Sequence, residues 1–342
     1  MTPGLAILLL SPGLLRAQEP PSPVFRAETA LVQLRFHVTG KDRYVTDLKR
    51  EDVILLEDGV PRPFTEFDNA ITGLNSAPVE LTLLFDTSAS VVDAGLLDPL
   101  AFKETLFDTL GNVRIAVYGF GRDMTQFTAP THDYAQLTAA FAALRDGHSN
   151  GQRIELRLPP KRLRPTGSGN TWLYEAVIAG IRAAGATPGD APRMILVFSD
   201  GFGDTSSVAQ DAADADREFG IPIYPVILGH RDLTERLRIA QQNMRPEQVT
   251  SADMLYLNAL EAKIEDFARL ADLTGGRSFD PREMNLAVLR QVLGAMVALV
   301  RTEYTVGFVP AAAAAPRKHN LEIRLRDKNI GKVHGGARTV VH

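Results

Sequence analysis

The chain has 342 residues and a net charge of −4, from 37 Lys and Arg against 41 Asp and Glu. That length predicts about two domains, and so small a charge argues neither for nucleic acid nor for a membrane surface as partner, and none of the former is expected. Hydrophobic content of 45% fits a soluble globular chain, and the absence of cysteine excludes disulfides, thiolate zinc sites and thiol nucleophiles.

The first residues read MTPGLAILLLSPGLLRAQEPPSP. Their apolar run, Leu5–Leu15, is shorter than the roughly 20 residues of a bilayer span. It has the length of a signal-peptide hydrophobic region, with Leu15 and Ala17 at the −3 and −1 spacing of a cleavage site, although no Lys or Arg precedes it. The expectation is a signal peptide over 1–18 and an extracytoplasmic location, periplasmic or secreted, with no transmembrane segment later in the chain.

A β-rich block follows over 24–75. In ALVQLRFHV, Ala30, Val32, Leu34, Phe36 and Val38 alternate with more polar residues, the period of a strand with one buried face. Asp58-Gly59 between two β-rich runs predicts a hairpin turn. The stretch GLNSAP at 73–78 reads as a linker.

From 79 to 301 short apolar runs alternate with helical patterns. Strands are predicted over 80–86, 113–120, 193–199 and 222–228, with a weaker one at 276–279. Asp98-Pro99 forms an N-cap with Pro at the first helical position. Further helices are predicted over 171–184, 206–219, 261–273 and 284–300, and Gly220 stands where a helix C-cap glycine belongs. The alternation predicts an α/β fold: a doubly wound, mostly parallel sheet with both faces covered. RMILVF has no polar alternation, as expected of a central parallel strand.

After 301 the chain returns to β over 302–342, with YTVGFV and LEIRLR as strands and Leu321, Ile323 and Leu325 on one face. Each β block is small for an independent core. The two are therefore expected to pair into one sandwich-like β-domain, with the α/β unit inserted between its halves.

Ligands of open α/β sheets bind at the carboxyl ends of the strands, so the residues after each strand matter most. LTLLFDTSAS places Asp86, Ser88 and Ser90 after the first strand of the α/β unit. FSDG places Asp200 after another, and SGNT places Thr171 at the opening of a helix. Two carboxylates and three hydroxyls make an all-oxygen set, which suits a hard cation such as Mg²⁺ at about 2.0–2.1 Å rather than zinc or copper. Two carboxylates neutralise one dication, and an open position would favour an anionic oxygen from outside.

The D-x-S-x-S after an apolar strand, the distant Thr and the later SDG resemble, in that order, the metal-ion-dependent adhesion site (MIDAS) of the von Willebrand factor type A (vWA) family. The resemblance covers about 79–301. It implies a Rossmann-like vWA domain in which Ser88, Ser90 and Thr171 ligate the cation directly, while Asp86 and Asp200 often act through water. The flanking segments LKREDVILLEDGVPRPFTEFD and YTVGFVP…HNLEIRLRDKN resemble the acidobacterial VWFA-related domain proteins. Residues 147–165 and 231–258 look like insertions relative to a minimal vWA domain, and Ser168 and Asn170 stand where the family has glycines around the Thr.

Other features read more plainly. Asp93 is taken as a solvated acid near a helix start, although some vWA relatives place a second cation there, and Asp204 is open in the same way. GSGNT lacks the Lys of a phosphate loop, and YGFGRD lacks the third Gly of a dinucleotide fingerprint. Trp172 reads as core packing. The seven His, at 37, 132, 148, 230, 319, 334 and 342, show no metal-ligand spacing. RIELRLPPKRLRP carries five basic residues and one acid beside the Thr171 loop, either a steering patch for an acidic partner or a solvated insertion.

Together these residues predict an exported, metal-dependent adhesion or interaction module rather than an enzyme. Its cofactor would be Mg²⁺ (or Mn²⁺ or Ca²⁺), and its partner a protein presenting an exposed Asp or Glu. Two alternatives are a metal-assisted hydrolase, for which no general base or G-x-S-x-G elbow is in place, and an assembly scaffold that does not use the metal.

Overall fold

The computed structural model describes residues 31–41, 43–69, 78–88, 96–147, 151–157, 171–189, 191–203, 205–229, 234–235, 238–239, 242, 251–281, 283–310 and 317–341. The expected signal peptide, the linker at 73–77 and most of the two insertions lie outside them.

The N-terminal block forms β1 (Val32–Thr39), β2 (Val53–Glu57), β3 (Val60–Arg62) and β4 (Glu66–Asn69). Asp58 and Gly59, both at positive φ (50° and 80°), make the tight turn between β2 and β3, the geometry that matches the right-handed twist of paired strands.

The α/β unit opens with β5 (Val79–Asp86). Helix α1 starts at Pro99–Phe102, widens into a π-helical stretch over Lys103–Phe107 and closes at Asp108–Leu110. The Asp98 carboxylate accepts from Leu100 N, the expected N-cap. Then come β6 (Val113–Phe120), β7 (Met124–Thr131), α2 (Tyr134–Arg145), β8 (Gln152–Ile154), α3 (Leu173–Gly185), β9 (Arg193–Ser199), α4 (Ala209–Asp216), β10 (Ile223–Ile227), α5 (Ser251–Thr274) and α6 (Leu286–Val300). Gly220 closes α4 at φ 65°, its N–H donating to the Asp216 carbonyl at 2.7 Å.

These strands form one sheet in the order β10-β9-β5-β6-β7-β8. Pairings from β10 to β6 are parallel, and β7 and β8 add an antiparallel edge. One face packs on α1, α2 and α6 through Phe102, Phe141 and Leu293, the other on α3, α4 and α5 through Ile181, Ala212 and Phe267. The sheet is thus covered on both sides, which is why β9 runs apolar from Met194 to Phe198 and β5 from Leu83 to Phe85.

Three local expectations differ. The weak strand at 276–279 is a single parallel bridge between Phe279 and Val226. Two glycines precede it and Pro281, which has no N–H to donate, follows, so the pairing cannot extend. Helix α5 reaches back to Ser251, because no Gly or Pro interrupts 251–274. The sequence reading placed no element over β7 or α2, although Asp133 caps α2 by accepting from Ala135 N at 2.8 Å.

At the C-terminus, β11 (Tyr304–Phe308), β12 (Lys318–Leu325), β13 (Lys332–Gly335) and β14 (Ala337–Val341) pair with the N-terminal strands. Two antiparallel four-stranded sheets result, ordered β13-β1-β11-β4 and β14-β12-β2-β3. Phe36, Leu55, Tyr304 and Val306, together with Leu321, Ile323 and Leu325, share their core. Each sheet contains strands from both ends of the chain, so neither terminal block could bury its apolar face alone.

The β-domain meets the α/β unit through backbone. A Cβ on Gly275 would lie 2.1 Å from Gly335 Cα, so the turn after α5 tolerates only glycine against β13. Thr339 N donates to the Arg217 carbonyl at 2.6 Å, and Arg338 Nε to the Glu218 carbonyl at 3.0 Å. Among the described residues no helix is long and apolar enough to cross a membrane.

Candidate metal centre

Strand β5 leaves the centre of the sheet, with β6 on one side and β9 on the other. The chain moves outward from β5 to β6 and later returns to β5's other side at β9, so the strand order reverses there, where open α/β sheets bind ligands. Phe85 and Phe198, paired across β5 and β9, stack with centroids 4.6 Å apart and planes 4° apart. The next residues, Asp86 and Ser199, end the two strands and point to the opposite face of the sheet.

Asp86 is 1% exposed. Its Oδ1 accepts from Ser88 N at 2.9 Å and its Oδ2 from the Ser199 hydroxyl at 2.9 Å. Burial, the largest influence, pushes this carboxyl up to about 6; the neighbouring Asp200 carboxylate raises it, while the Ser88 N–H and the Ser199 and Ser88 hydroxyls pull it down. Asp200 follows β9 and folds into an Asx turn, its Oδ1 accepting from Phe202 N at 3.0 Å. Gly201 takes φ 83°, a conformation costly for any other residue, which explains the SDG spelling. Thr171 is 8% exposed, two residues before the start of α3. The next residue's N–H, Trp172 N, donates to the Gly121 carbonyl at 2.9 Å, which ties the Thr171 loop to the end of β6.

Asp86, Ser88, Thr171 and Asp200 thus stand at one end of the sheet, on three loops around the end of β5. Ser90, Asp93 and Asp204 lie outside the described residues. Trp172 packs half-buried against the core beside α3.

The set fits a hard cation. Two carboxylates come together at a buried strand end where hydroxyls and the Ser88 N–H contact Asp86 and, among the described residues, no Lys or Arg does. Such a pair is costly to ionise without a positive charge between the two groups. Among the described residues no three His, Asp or Glu side chains gather into a cage of their own, so a cation here would draw on hydroxyls, as oxygen-seeking ions do.

Several supporting residues escaped the sequence reading. Ser199 is fully buried; its Oγ donates to Asp86 and accepts from Gly201 N at 3.1 Å, coupling the two acidic loops. Glu175, one turn after Thr171, is 2% exposed and accepts from the Thr205 hydroxyl at 3.1 Å and from the Ser207 hydroxyl. Lys263 of α5 donates to the Gly203 carbonyl at 2.9 Å. Asp266 Oδ2 accepts from the Tyr174 hydroxyl at 2.8 Å and from Ala209 N at 2.9 Å. The loop after Asp200 is therefore pinned to α3 and α5 along its length. Only the register of β5 against β9 would have pointed to Ser199; the Glu175 contacts are long-range and left no mark in the spacing.

No protein-family model and no curated protein matches the chain. Among solved structures, it is similar to the conserved hypothetical protein BatB from Bacteroides thetaiotaomicron, at 18% identity over 66% of this chain and 100% of that one, with a TM-score of 0.42. It is similar to the pilus adhesin SpaC from Lactobacillus rhamnosus GG in its open conformation, at 10% identity over 77% of this chain and 43% of that one, TM-score 0.41. A third similarity is to the vWF domain of the type V pili tip protein Mfa5 from Porphyromonas gingivalis, at 18% identity over 37% of this chain and 39% of that one, TM-score 0.25. The chain thus spans less than half the length of the adhesin and of the tip-protein structure. The vWA-like character of the α/β unit rests on its own strand order and helix layers.

Proposed function

We propose that the chain is an extracytoplasmic, metal-dependent protein-binding module of the vWA type, akin to the acidobacterial VWFA-related proteins, and that it is not an enzyme. The observation that carries this reading is the Asp86 carboxyl, buried beside a second carboxylate and surrounded by hydroxyls. Asp86, Ser88, Ser90, Thr171 and Asp200 would hold Mg²⁺, with Mn²⁺ or Ca²⁺ as substitutes. What such a cation supplies when bound is countercharge for the two carboxylates and an acceptor position for an anionic oxygen from outside. Ser199 orients Asp86, and Glu175 and Lys263 keep the Asp200 loop in place. An exposed Asp or Glu on a partner protein is the matching ligand. Among the described residues, the β-domain meets the α/β unit at the opposite end of the sheet.

Thermal unfolding of the full chain with Mg²⁺, Mn²⁺, Ca²⁺ or EDTA tests the centre. A ligand that binds the native state raises the melting temperature by mass action. The expected result is a cation-dependent rise in wild type that Asp86→Ala lacks. No rise with any of the three cations, or an equal rise in the variant, would overturn the metal reading and leave the scaffold reading in its place. Retention of a partner on immobilised protein with Mg²⁺, and its release by EDTA, tests the interaction itself.

A further inference from the structure

Two aromatic side chains flank the candidate ligands. Trp172 follows Thr171 directly, and Phe202 stands two residues after Asp200. Consecutive Cα atoms are about 3.8 Å apart, so neither aromatic stands far from its neighbouring ligand. Both are half-buried, and both pack on the core cluster between the sheet and α3, α4 and α5. Their loops also touch: a Cβ on Gly203 would lie 3.4 Å from Leu173 Cβ. Phe202 and Trp172 each stand one residue before that contact, at neighbouring places on the rim of the centre.

What Trp172 leaves exposed is hydrocarbon. Its backbone N–H donates to the Gly121 carbonyl at 2.9 Å, and its carbonyl accepts from Ala176 N at 3.0 Å. Its indole Nε1 is turned inward and buried. Trp172 also occupies the N-cap of α3, where its side chain makes no capping bond. Helices favour Ser, Thr, Asp or Asn at that position, because a side-chain oxygen there accepts from the first free N–H groups. A tryptophan forgoes that local stabilisation, and it is not fully buried in exchange. Phe202 is held by its backbone, the N–H donating to Asp200 Oδ1 at 3.0 Å, while its ring stays partly in solvent.

The centre of the site calls for an anionic oxygen, and the aromatic pair beside it calls for carbon. A free inorganic anion supplies only the first. An acidic side chain on a protein surface supplies both where an apolar residue adjoins it. Two half-buried rings offer far less than the about 800 Å² per partner of a stable protein interface. The pair therefore adds to a contact anchored on the cation and is too small to join two copies of the chain by itself.

We propose, on the basis of the metal-dependent reading of the centre, that Trp172 and Phe202 form an apolar rim that selects the partner. The protein it selects presents its coordinating Asp or Glu next to an exposed aliphatic or aromatic side chain.

Trp172 is the only tryptophan of the chain, so its fluorescence reports on the rim directly. The full chain is titrated in saturating Mg²⁺, and again in EDTA, with acetyl-Glu-Gly-amide, acetyl-Glu-Leu-amide and acetyl-Gln-Leu-amide. The cation-induced rise in melting temperature is recorded on the same protein. In Mg²⁺ the Glu-Leu peptide should bind with a dissociation constant about tenfold below that of the Glu-Gly peptide, as partial burial of one leucine side chain provides. The Gln-Leu peptide in Mg²⁺, and every peptide in EDTA, should not bind. In Phe202→Ala the two Glu peptides should bind alike. They should do so in Trp172→Ala as well, followed by melting temperature because the reporter is gone. Comparing two peptides on one variant cancels any loss of stability common to both. Equal affinity of the two Glu peptides in wild type, binding of neither, equal binding of the Gln-Leu peptide, or a preference retained in both variants would overturn the rim while the cation-induced rise still stands. Absence of that rise would instead overturn the metal reading, and the rim with it.

Discussion

Strand β5 carries two buried carboxylates six residues apart on the same face, and their company could hardly differ more. Glu80, 5% exposed, is gripped by Arg114 from β6 and by Arg193 from β9, the latter at 3.5 Å, both from the registered positions beside it. Asp86, 1% exposed, contacts hydroxyls and an N–H and feels the Asp200 carboxylate. The sheet compensates Glu80 from its own strands, whereas among the described residues no Lys or Arg pairs with Asp86. A buried acid that already has its cation is part of the scaffold; one set among hydroxyls and another acid is where the proposed cation would bind.

The contrast can be broken most forcefully at Glu80. Glu80→Ala leaves two arginines facing each other across β5, and removing one partner of a buried pair costs about 3–5 kcal/mol. Both arginines are partly exposed, at 34% and 19%. The expected loss is therefore nearer about 2–3 kcal/mol, read from denaturant unfolding, with the metal-induced rise in melting temperature kept. Asp86→Ala should do the reverse. In EDTA the variant should be at least as stable as wild type, because a strained carboxyl is gone. With cation at a hundred times its dissociation constant it should miss the whole stabilisation, about 2.7 kcal/mol. A third change sharpens the role of the supporting residues. Glu175→Gln keeps one acceptor for Thr205 or Ser207 and should weaken apparent cation affinity about tenfold, measured by titrating Mn²⁺ against melting temperature, with little effect in EDTA.

The smallest effect is expected at an acid between the two extremes. Asp216, at the end of α4, is 4% exposed and accepts from Ile221 N at 2.8 Å. Burial, the largest influence, pushes its carboxyl up to about 7, against the pull of the Ile221 N–H and of Arg338 from the β-domain. Because the folded value lies above the unfolded one, the native state keeps a proton that the unfolded chain gives up. Stability from this group is thus present at pH 4, falls as pH rises, and levels off above about 7. Asp216→Asn retains the acceptor and should flatten that slope, with a gain on the order of 1 kcal/mol at pH 8 and none at pH 4. Unfolding midpoints across that pH range check it.

Much of the architecture could be read along the chain. The apolar runs ending at Asp86 and Ser199 gave β5 and β9 to within a residue, since strands buried on both faces need no polar alternation. Asp58-Gly59, Asp98-Pro99 and Gly220 each marked a turn or cap, because their backbone chemistry is local. The two acids of the candidate metal centre stand at positions the sequence marks for a related reason: Asp86 ends β5 and Asp200 follows β9. Contacts that join distant segments were not. Ser199 looked like the last residue of a strand, Glu175 like an ordinary helix position, and His37 and His334 like scattered histidines until β1 and β13 paired. Strands β7 and β8 were overlooked because the antiparallel edge they form is only partly buried and lacks the continuous apolar run that made the central strands visible.

The interleaving of the two β-sheets governs how the chain can mature. Arg35 and Glu303, which pair at 3.0 Å, are 268 residues apart in sequence, and loop closure over such a distance is slow. As the polypeptide emerges from the ribosome or a translocation channel, the inserted α/β unit can complete its sheet before β11–β14 exist. Strands β1 and β2 must wait with open edges for the last part of the chain. A product that stops short of β12 would present those edges to other copies, so quality control of this protein rests on synthesis reaching its final strands.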